Sequence, residues 1–191
     1  MKNALLTGIT PALSETCRRT TIEIVKRAQA IDLPVSFDVN YRALLWGKEE
    51  AKQAFDEILP NVNIIVATQP DAVLLLGTES NPPEMLQRLK SKYECDIVAL
   101  TLGSKGSMAF DGDDFYEGFA HPIEEQVNRL GAGDAFDAGL LYGYLKSDLQ
   151  TGLHYGQAMA ALKHTVPQNI PILNQEDIER LIQGKKTDIL R

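Results

Sequence analysis

Short runs of β-branched and apolar residues alternate in this chain with longer stretches whose apolar residues recur every three or four positions. In residues 14–30, Ile22, Val25 and Ala28 follow the helical period, and Ser14 or Thr16 is placed to cap the start. Pro34 breaks that pattern, and Val35–Asp38 reads as a short strand. Residues 48–59 (KEEAKQAFDEIL) give a second helix, stopped by Pro60. Residues 62–66 (VNIIV) give a second strand, ending in the polar cluster Thr68-Gln69-Pro70-Asp71. Another helix pattern, Pro82–Tyr93, precedes the most strand-like run, Ile97–Thr101. After a glycine-rich turn, Ser107–Phe110 and residues 115–116 flank Asp111-Gly112-Asp113-Asp114 and read as a β-hairpin. Residues 131–145, 156–164 and 175–183 carry the remaining helix patterns.

Strands separated by such helices imply βα units and a mostly parallel sheet, so the expected class is α/β. With no internal repeat or linker signal, residues 1–191 read as a single domain. In open parallel sheets ligands lie beyond the carboxyl ends of the strands. That rule directs attention to residues 38–42, 68–71 and 101–106 and to the turn at Gly131.

Composition narrows the function classes. The 26 acidic side chains outnumber the 19 basic ones, for a formal charge of −7. Nucleic-acid binders usually carry the opposite balance, so no nucleic-acid partner is expected. Cys17 and Cys95 stand far apart and neither belongs to a CxxC pair, which argues against a zinc cage or disulfide framework and for a reducing compartment. The start, MKNALLTGITPALSE, lacks the apolar core of a secretory signal, and no window reaches the ~20 apolar residues of a membrane span. A cytoplasmic chain without a membrane partner is the expectation. At this length roughly 70% of the unfolded chain's surface is buried on folding, enough for a core without staples.

Three segments carry candidate chemistry. Gly131-Ala132-Gly133-Asp134 opens a helix, where glycines let backbone N–H groups approach an anion and the helix dipole favours negative charge. Asp134 is either an ordinary first-turn acid or a base held beside a phosphate cradle. Thr101-Leu102-Gly103-Ser104-Lys105-Gly106 follows a strand and is either a tight turn or a nucleotide loop; it is neither a Walker A loop nor GxGxxG. Asp38-x-Asn40-x-Arg42 ends a strand, and its arginine can grip a carboxylate or phosphate with its planar fork or bond loop carbonyls. His121, His154 and His164 lack metal-site spacing, Trp46 reads as packing, and the acids of residues 111–114 read as a turn.

SFDVNYRALLW, the TLGSKG turn, NRLGAGDAFDAGLL and AALKHTVP occur in that order. Together they resemble the C-terminal portion of the PfkB (ribokinase-like) carbohydrate kinases, most closely those acting on 2-keto-3-deoxygluconate. The resemblance implies a ribokinase-like, Rossmann-like sheet flanked by helices, lacking the N-terminal strands and the lid. It implies ATP-dependent phosphorylation of a sugar acid, with Mg²⁺. Asp134 matches the family's catalytic base, and the backbone of Gly131, Ala132 and Gly133 its anion hole. Thr101, Gly103, Ser104 and Gly106 match the nucleotide loop, and Arg42 and Asn40 substrate-side positions.

The same resemblance exposes departures. Thr68-Gln69-Pro70-Asp71 stands where an Asn-x-x-Glu motif organises Mg²⁺, leaving Asp71 as the acidic candidate for metal binding. Asn128 replaces an aspartate near which a monovalent cation is often held, and Gln168-Asn169 replaces Gly-Asp. Two functional readings stand: an ATP-dependent sugar-acid kinase, or a truncated, catalytically weak relative that binds nucleotide or a partner chain. The missing N-terminal half points to a homo-oligomer or a separate N-terminal chain as partner, and to weak turnover by the isolated chain.

Overall fold

The structure is a computed structural model describing residues 2–123 and 125–184. The elements in chain order are β1 (Ala4–Thr7), α1 (Ile9–Ala12), α2 (Glu15–Ala30), β2 (Val35–Asp38), α3 (Lys48–Ile58), β3 (Ile64–Thr68), α4 (Gln69–Leu76), α5 (Pro82–Tyr93), β4 (Ile97–Thr101), β5 (Ser107–Phe110), β6 (Phe115–Gly118), α6 (Ala132–Lys146), α7 (Leu149–His164) and α8 (Gln175–Ile182). The strands form one sheet in the order β1 to β6. The chain divides into two compact units, Met1–Thr101 with Met108–Phe115, and Leu102–Ser107 with Tyr116–Arg191.

In the first unit, β1 to β4 pair in parallel with each sequence neighbour. Strands covered on both faces read as continuous apolar runs rather than alternating ones. That explains why β2 is buried throughout and β3 and β4 are buried except at their last residue. Phe37, Ile65, Val98 and Leu100 supply the sheet's share of the core; Val25, Phe55, Leu75, Leu86 and Leu89 supply the helices' share. At the other extreme β1 is the sheet's outer strand, with Leu5 44% exposed.

The helix starts follow their side chains. Ser14 accepts the Cys17 amide at the head of α2, settling the choice between Ser14 and Thr16. Asn81 accepts the Glu84 amide at the head of α5. The polar cluster after β3 is itself a helix start. Thr68 and Asp71 form a reciprocal capping box for α4, with Pro70 in the first turn. Gly77, at φ 74°, ends that helix in the left-handed conformation.

The second unit is built on α6 and α7, whose backbones meet through glycines. A Cβ on Gly139 would lie 2.5 Å from the Tyr155 carbonyl oxygen, and one on Gly143 would lie 2.7 Å from that of Thr151. On the facing helix, a Cβ on Gly152 would lie 2.7 Å from the Leu140 carbonyl oxygen and one on Gly156 2.9 Å from the Phe136 ring. Tyr155, Ala158, Ala161 and Leu162 of α7 then pack with Ile178 and Leu181 of α8.

The structure differs from the sequence reading in three ways. β1, α1 and α4 are additional elements. α7 begins at Leu149 rather than 156, capped by Asp148, which accepts the Thr151 amide. β3 runs two residues later than expected because Leu59–Asn61 is a 3-10 turn. The hairpin is as expected, and Asp111 spends its carboxylate on the amides of Asp113 and Asp114 in the turn. Among the described residues no helix is long and apolar enough to cross a membrane.

Candidate active site

The carboxyl ends of the parallel strands in the first unit are polar. Registration places Thr7 beside Asp38 and Thr68 beside Thr101, so the four strands end on Thr7, Asp38, Thr68 and Thr101. The chain leaves β2 through Asn40, whose φ of 40° is left-handed and uncommon outside glycine. Its side-chain amide donates to Thr7 Oγ1 at 3.2 Å, tying the turn to the neighbouring strand end. Tyr41 Oη then donates to the Trp46 carbonyl, and Trp46 is buried edge-on against Phe55 at 5.3 Å between ring centroids. The packing role expected of Trp46 is what the structure shows.

These anchors leave Arg42 exposed, with one long bond of 3.4 Å to the Tyr41 carbonyl. Asp71 lies below it. Its Oδ2 accepts from Thr68 Oγ1 at 2.7 Å and from the Thr68 amide at 3.1 Å. Burial pushes the Asp71 carboxyl above its ordinary range. Hydrogen bonds from Thr68 and the Tyr41 backbone, and the charge of Arg42, oppose that shift without cancelling it. Asp71 therefore braces both the head of α4 and the Tyr41–Arg42 turn. Among the described residues no three His, Cys, Asp or Glu side chains group to hold a metal ion. A carboxylate spent on a cap does not fit a protein-built magnesium cage, whose ion needs near-octahedral oxygen ligands.

In the second unit, the Leu102 amide donates to the Gly106 carbonyl and the Gly106 amide to the Gly103 carbonyl, closing a tight 3-10 turn. Gly106, at φ 93°, has no room for a side chain because its Cβ would fall on the Gly118 carbonyl oxygen. Gly103 and Ser104 are exposed, and a Cβ on Gly103 would meet open space. Gly106 is thus required both for its backbone conformation and for space, Gly103, at φ 61°, for its backbone conformation alone, and Gly103 and Ser104 are exposed.

Gly131 caps α6 in the left-handed conformation, φ 85°, and its Cβ would lie 2.5 Å from the Asn169 carbonyl oxygen. Ala132 donates to the Arg129 carbonyl and Ala135 to the Gly131 carbonyl. The amides of Gly133 and Asp134 find no acceptor among the described residues, as at any helix start, and are therefore open to an anion. Asp134 is exposed in the first turn, and a Cβ on Gly133 would meet nothing within 4 Å.

The preceding loop is held by Asn128. Its amide nitrogen donates to the Pro167 carbonyl at 2.8 Å and to Asn169 Oδ1 at 3.0 Å, and its oxygen accepts the Leu130 amide at 3.0 Å. Beneath it lies Lys163, fully buried, whose ammonium donates to the carbonyls of Asn128 and Val166. In the sequence Lys163 stands out only as part of the AALKHTVP tail. Its signal was a charge at four residues from Met159 and seven from Gly156 on an otherwise apolar helix face.

Of the residues singled out from sequence, Asn40, Arg42, Asp71 and Thr101 belong to the first unit. Gly103, Ser104, Gly106, Gly131, Ala132, Gly133 and Asp134 belong to the second.

The sequence profile described as pfkB family carbohydrate kinase matches residues 2–175. The chain belongs to this family. The 2-dehydro-3-deoxygalactonokinase of Haloferax volcanii is 34% identical over 187 residues, covering 96% of this chain and 58% of the relative. The crystal structure of 2-dehydro-3-deoxygluconokinase from Thermotoga maritima superposes with a TM-score of 0.89 at 30% identity, over 96% of this chain and 60% of that one. A PfkB family carbohydrate kinase from Listeria grayi gives a TM-score of 0.86 at 27% identity, again over 96% of this chain and 60% of the other. The chain thus spans less than two thirds of the length of these relatives. The ribokinase-like fold expected from the motifs is the observed one.

Within that family the departures acquire physical reasons. The Thr68–Asp71 pair is committed to a helix cap. Asn128 faces two acceptors through its amide nitrogen, contacts that an aspartate would turn into repulsion.

Proposed function

We propose that the chain serves ATP-dependent phosphoryl transfer to a hydroxyl of a sugar acid, with 2-keto-3-deoxygluconate, phosphorylated at its 6-hydroxyl, as the first substrate to test. The observation that carries this reading is the start of α6, where Gly131 is left-handed, the amides of Gly133 and Asp134 have no acceptor among the described residues, and the Asp134 carboxylate is exposed. Phosphoryl transfer depends on alignment and charge stabilisation more than on covalent help from the protein.

In this reading Asp134 accepts the proton of the attacking hydroxyl as the new O–P bond forms. The bond from the γ-phosphorus to the β,γ-bridging oxygen breaks, and its electron pair leaves with ADP. The Gly131–Ala132–Gly133 backbone and the dipole of α6 receive the negative charge of the moving group. Thr101, Gly103, Ser104 and Gly106 border the nucleotide, and Arg42 and Asn40 orient the acid end of the sugar. Any magnesium would be held by the ATP phosphates rather than by a protein cage, and the role of Asp71 is to close the α4 cap and brace the segment that carries Arg42. The cytoplasm, with its ATP, is the proposed setting, and a second copy or a separate N-terminal chain is the proposed partner.

The names of the relatives support a sugar-acid substrate. The test is ADP release with 2-keto-3-deoxygluconate, 2-keto-3-deoxygalactonate and fructose in parallel. Release stimulated by the two keto-deoxy acids and not by fructose is the expected result; ATP binding with no stimulation by any of them would favour the non-catalytic relative.

A further inference from the structure

Lys163 is the one fully buried cationic side chain among the described residues, and it forms no ion pair with any of them. Burying a charge is costly unless strong dipoles replace its water. Here the replacements are the Asn128 carbonyl at 3.1 Å and the Val166 carbonyl at 3.4 Å. These two oxygens come from the loops on either side of the α6 start, residues 127–130 and 165–169. The same loops are joined by Asn128 to Pro167 and Asn169, and by the amides of Val127 and Asn128 to the His164 carbonyl. A Cβ on Gly131 would lie 3.5 Å from Lys163 Cε, so the aliphatic end of the lysine lies directly under the turn.

Backbone carbonyls converging on one positive charge are how proteins hold potassium or ammonium ions. We propose that Lys163 is a positioning residue whose ammonium acts as a built-in monovalent cation, gathering the Asn128 and Val166 carbonyls and fixing the Gly131 turn. The turn therefore takes its shape without an ion from solution. That this turn receives the transferred phosphate rests on the function proposed above; that it is held by a tethered cation does not.

The test reads thermal unfolding, without nucleotide or sugar, in potassium, ammonium or tetramethylammonium chloride at matched ionic strength. Lys163→Met keeps the aliphatic volume and removes the charge. Lys163→Gln keeps a hydrogen-bond donor and removes the charge. The wild type is expected to unfold at one temperature in all three salts. Both variants are expected to unfold earlier in tetramethylammonium, and to regain about 5 °C or more once potassium or ammonium stands roughly 100-fold above half-saturation. A glutamine variant as stable as wild type and indifferent to the cation would reduce Lys163 to an ordinary donor and overturn the proposal. Selective stabilisation of the wild type by potassium would overturn it as well, and decides the matter even if both variants fail to fold. Because no turnover is read, failure of the kinase reading leaves this result intact and separately visible.

Discussion

Asp71 shows how one carboxylate can be claimed by two descriptions. By sequence it is the acid left from a metal-organising motif; in the structure it is buried, closing a capping box and bracing the turn that carries Arg42. Asp71→Ala removes the acceptor for the Thr68 amide and is expected to lower unfolding stability by about 1 kcal/mol in urea titrations at neutral pH. Asp71→Asn keeps an acceptor. Because burial raises the folded carboxyl above its unfolded value, the native state binds the extra proton, and this contribution to stability is full at low pH and lost as pH rises through the folded pKa. The asparagine variant should therefore compare more favourably with wild type at pH 7 than at pH 3.5, a difference the same titrations would reveal. Cys95 is a second case where burial decides chemistry: its thiol is pushed up to about 11, which keeps it from acting as a nucleophile at neutral pH.

The pairing of α6 with α7 depends on glycines that a periodicity count reads as weak helix formers. Gly143→Ala would bring a Cβ to within 2.7 Å of the Thr151 carbonyl oxygen and should cost about 1–3 kcal/mol, measured by chemical denaturation. Gly133→Ala, in the same helix but facing open space, should be neutral or stabilise by up to about 1 kcal/mol. If both alanines were tolerated equally, the close approach of the two helices would be wrong. The glycines also explain what was legible beforehand. α5 and β4 were read to the residue because Asn81, Pro82 and the β-branched run at 97–98 mark them locally. The first turns of α7 were missed because Gly152 and Gly156 serve tertiary packing that no local pattern announces. α4 was hidden because its cap, Thr68 to Asp71, looks like a loop until the carboxylate and hydroxyl are seen to face each other. β1 escaped because a four-residue outer strand, partly exposed, carries little apolar signal. The Gly131 turn is visible from sequence because Gly131-Ala132-Gly133-Asp134 opens a helix-period run; the buried Lys163 under it is not.

For the molecule as a whole, two histidines contribute to the loss of stability just below neutral pH. Burial holds His121 and His164 below the ordinary histidine value of 6.5, with the charge of His154 adding to the first and those of Lys163 and Arg129 to the second. Both stay neutral when folded at pH values where the unfolded chain is already taking up protons. Their contribution is therefore complete above about pH 6.5 and is lost as pH falls through their folded values. Thermal midpoints measured from pH 8 to pH 5 should fall on the acid side, and replacing both by glutamine should flatten that slope. The proposed phosphoryl transfer takes Asp134, exposed at the start of α6, as its base. The most direct measurement is sugar-acid-dependent ADP release by the chain and by Asp134→Asn, at saturating ATP and with ATP binding checked in both. A loss of about 10²- to 10⁴-fold in the variant, with nucleotide binding retained, is the result expected of a general base. Equal ADP release by the two proteins would contradict it.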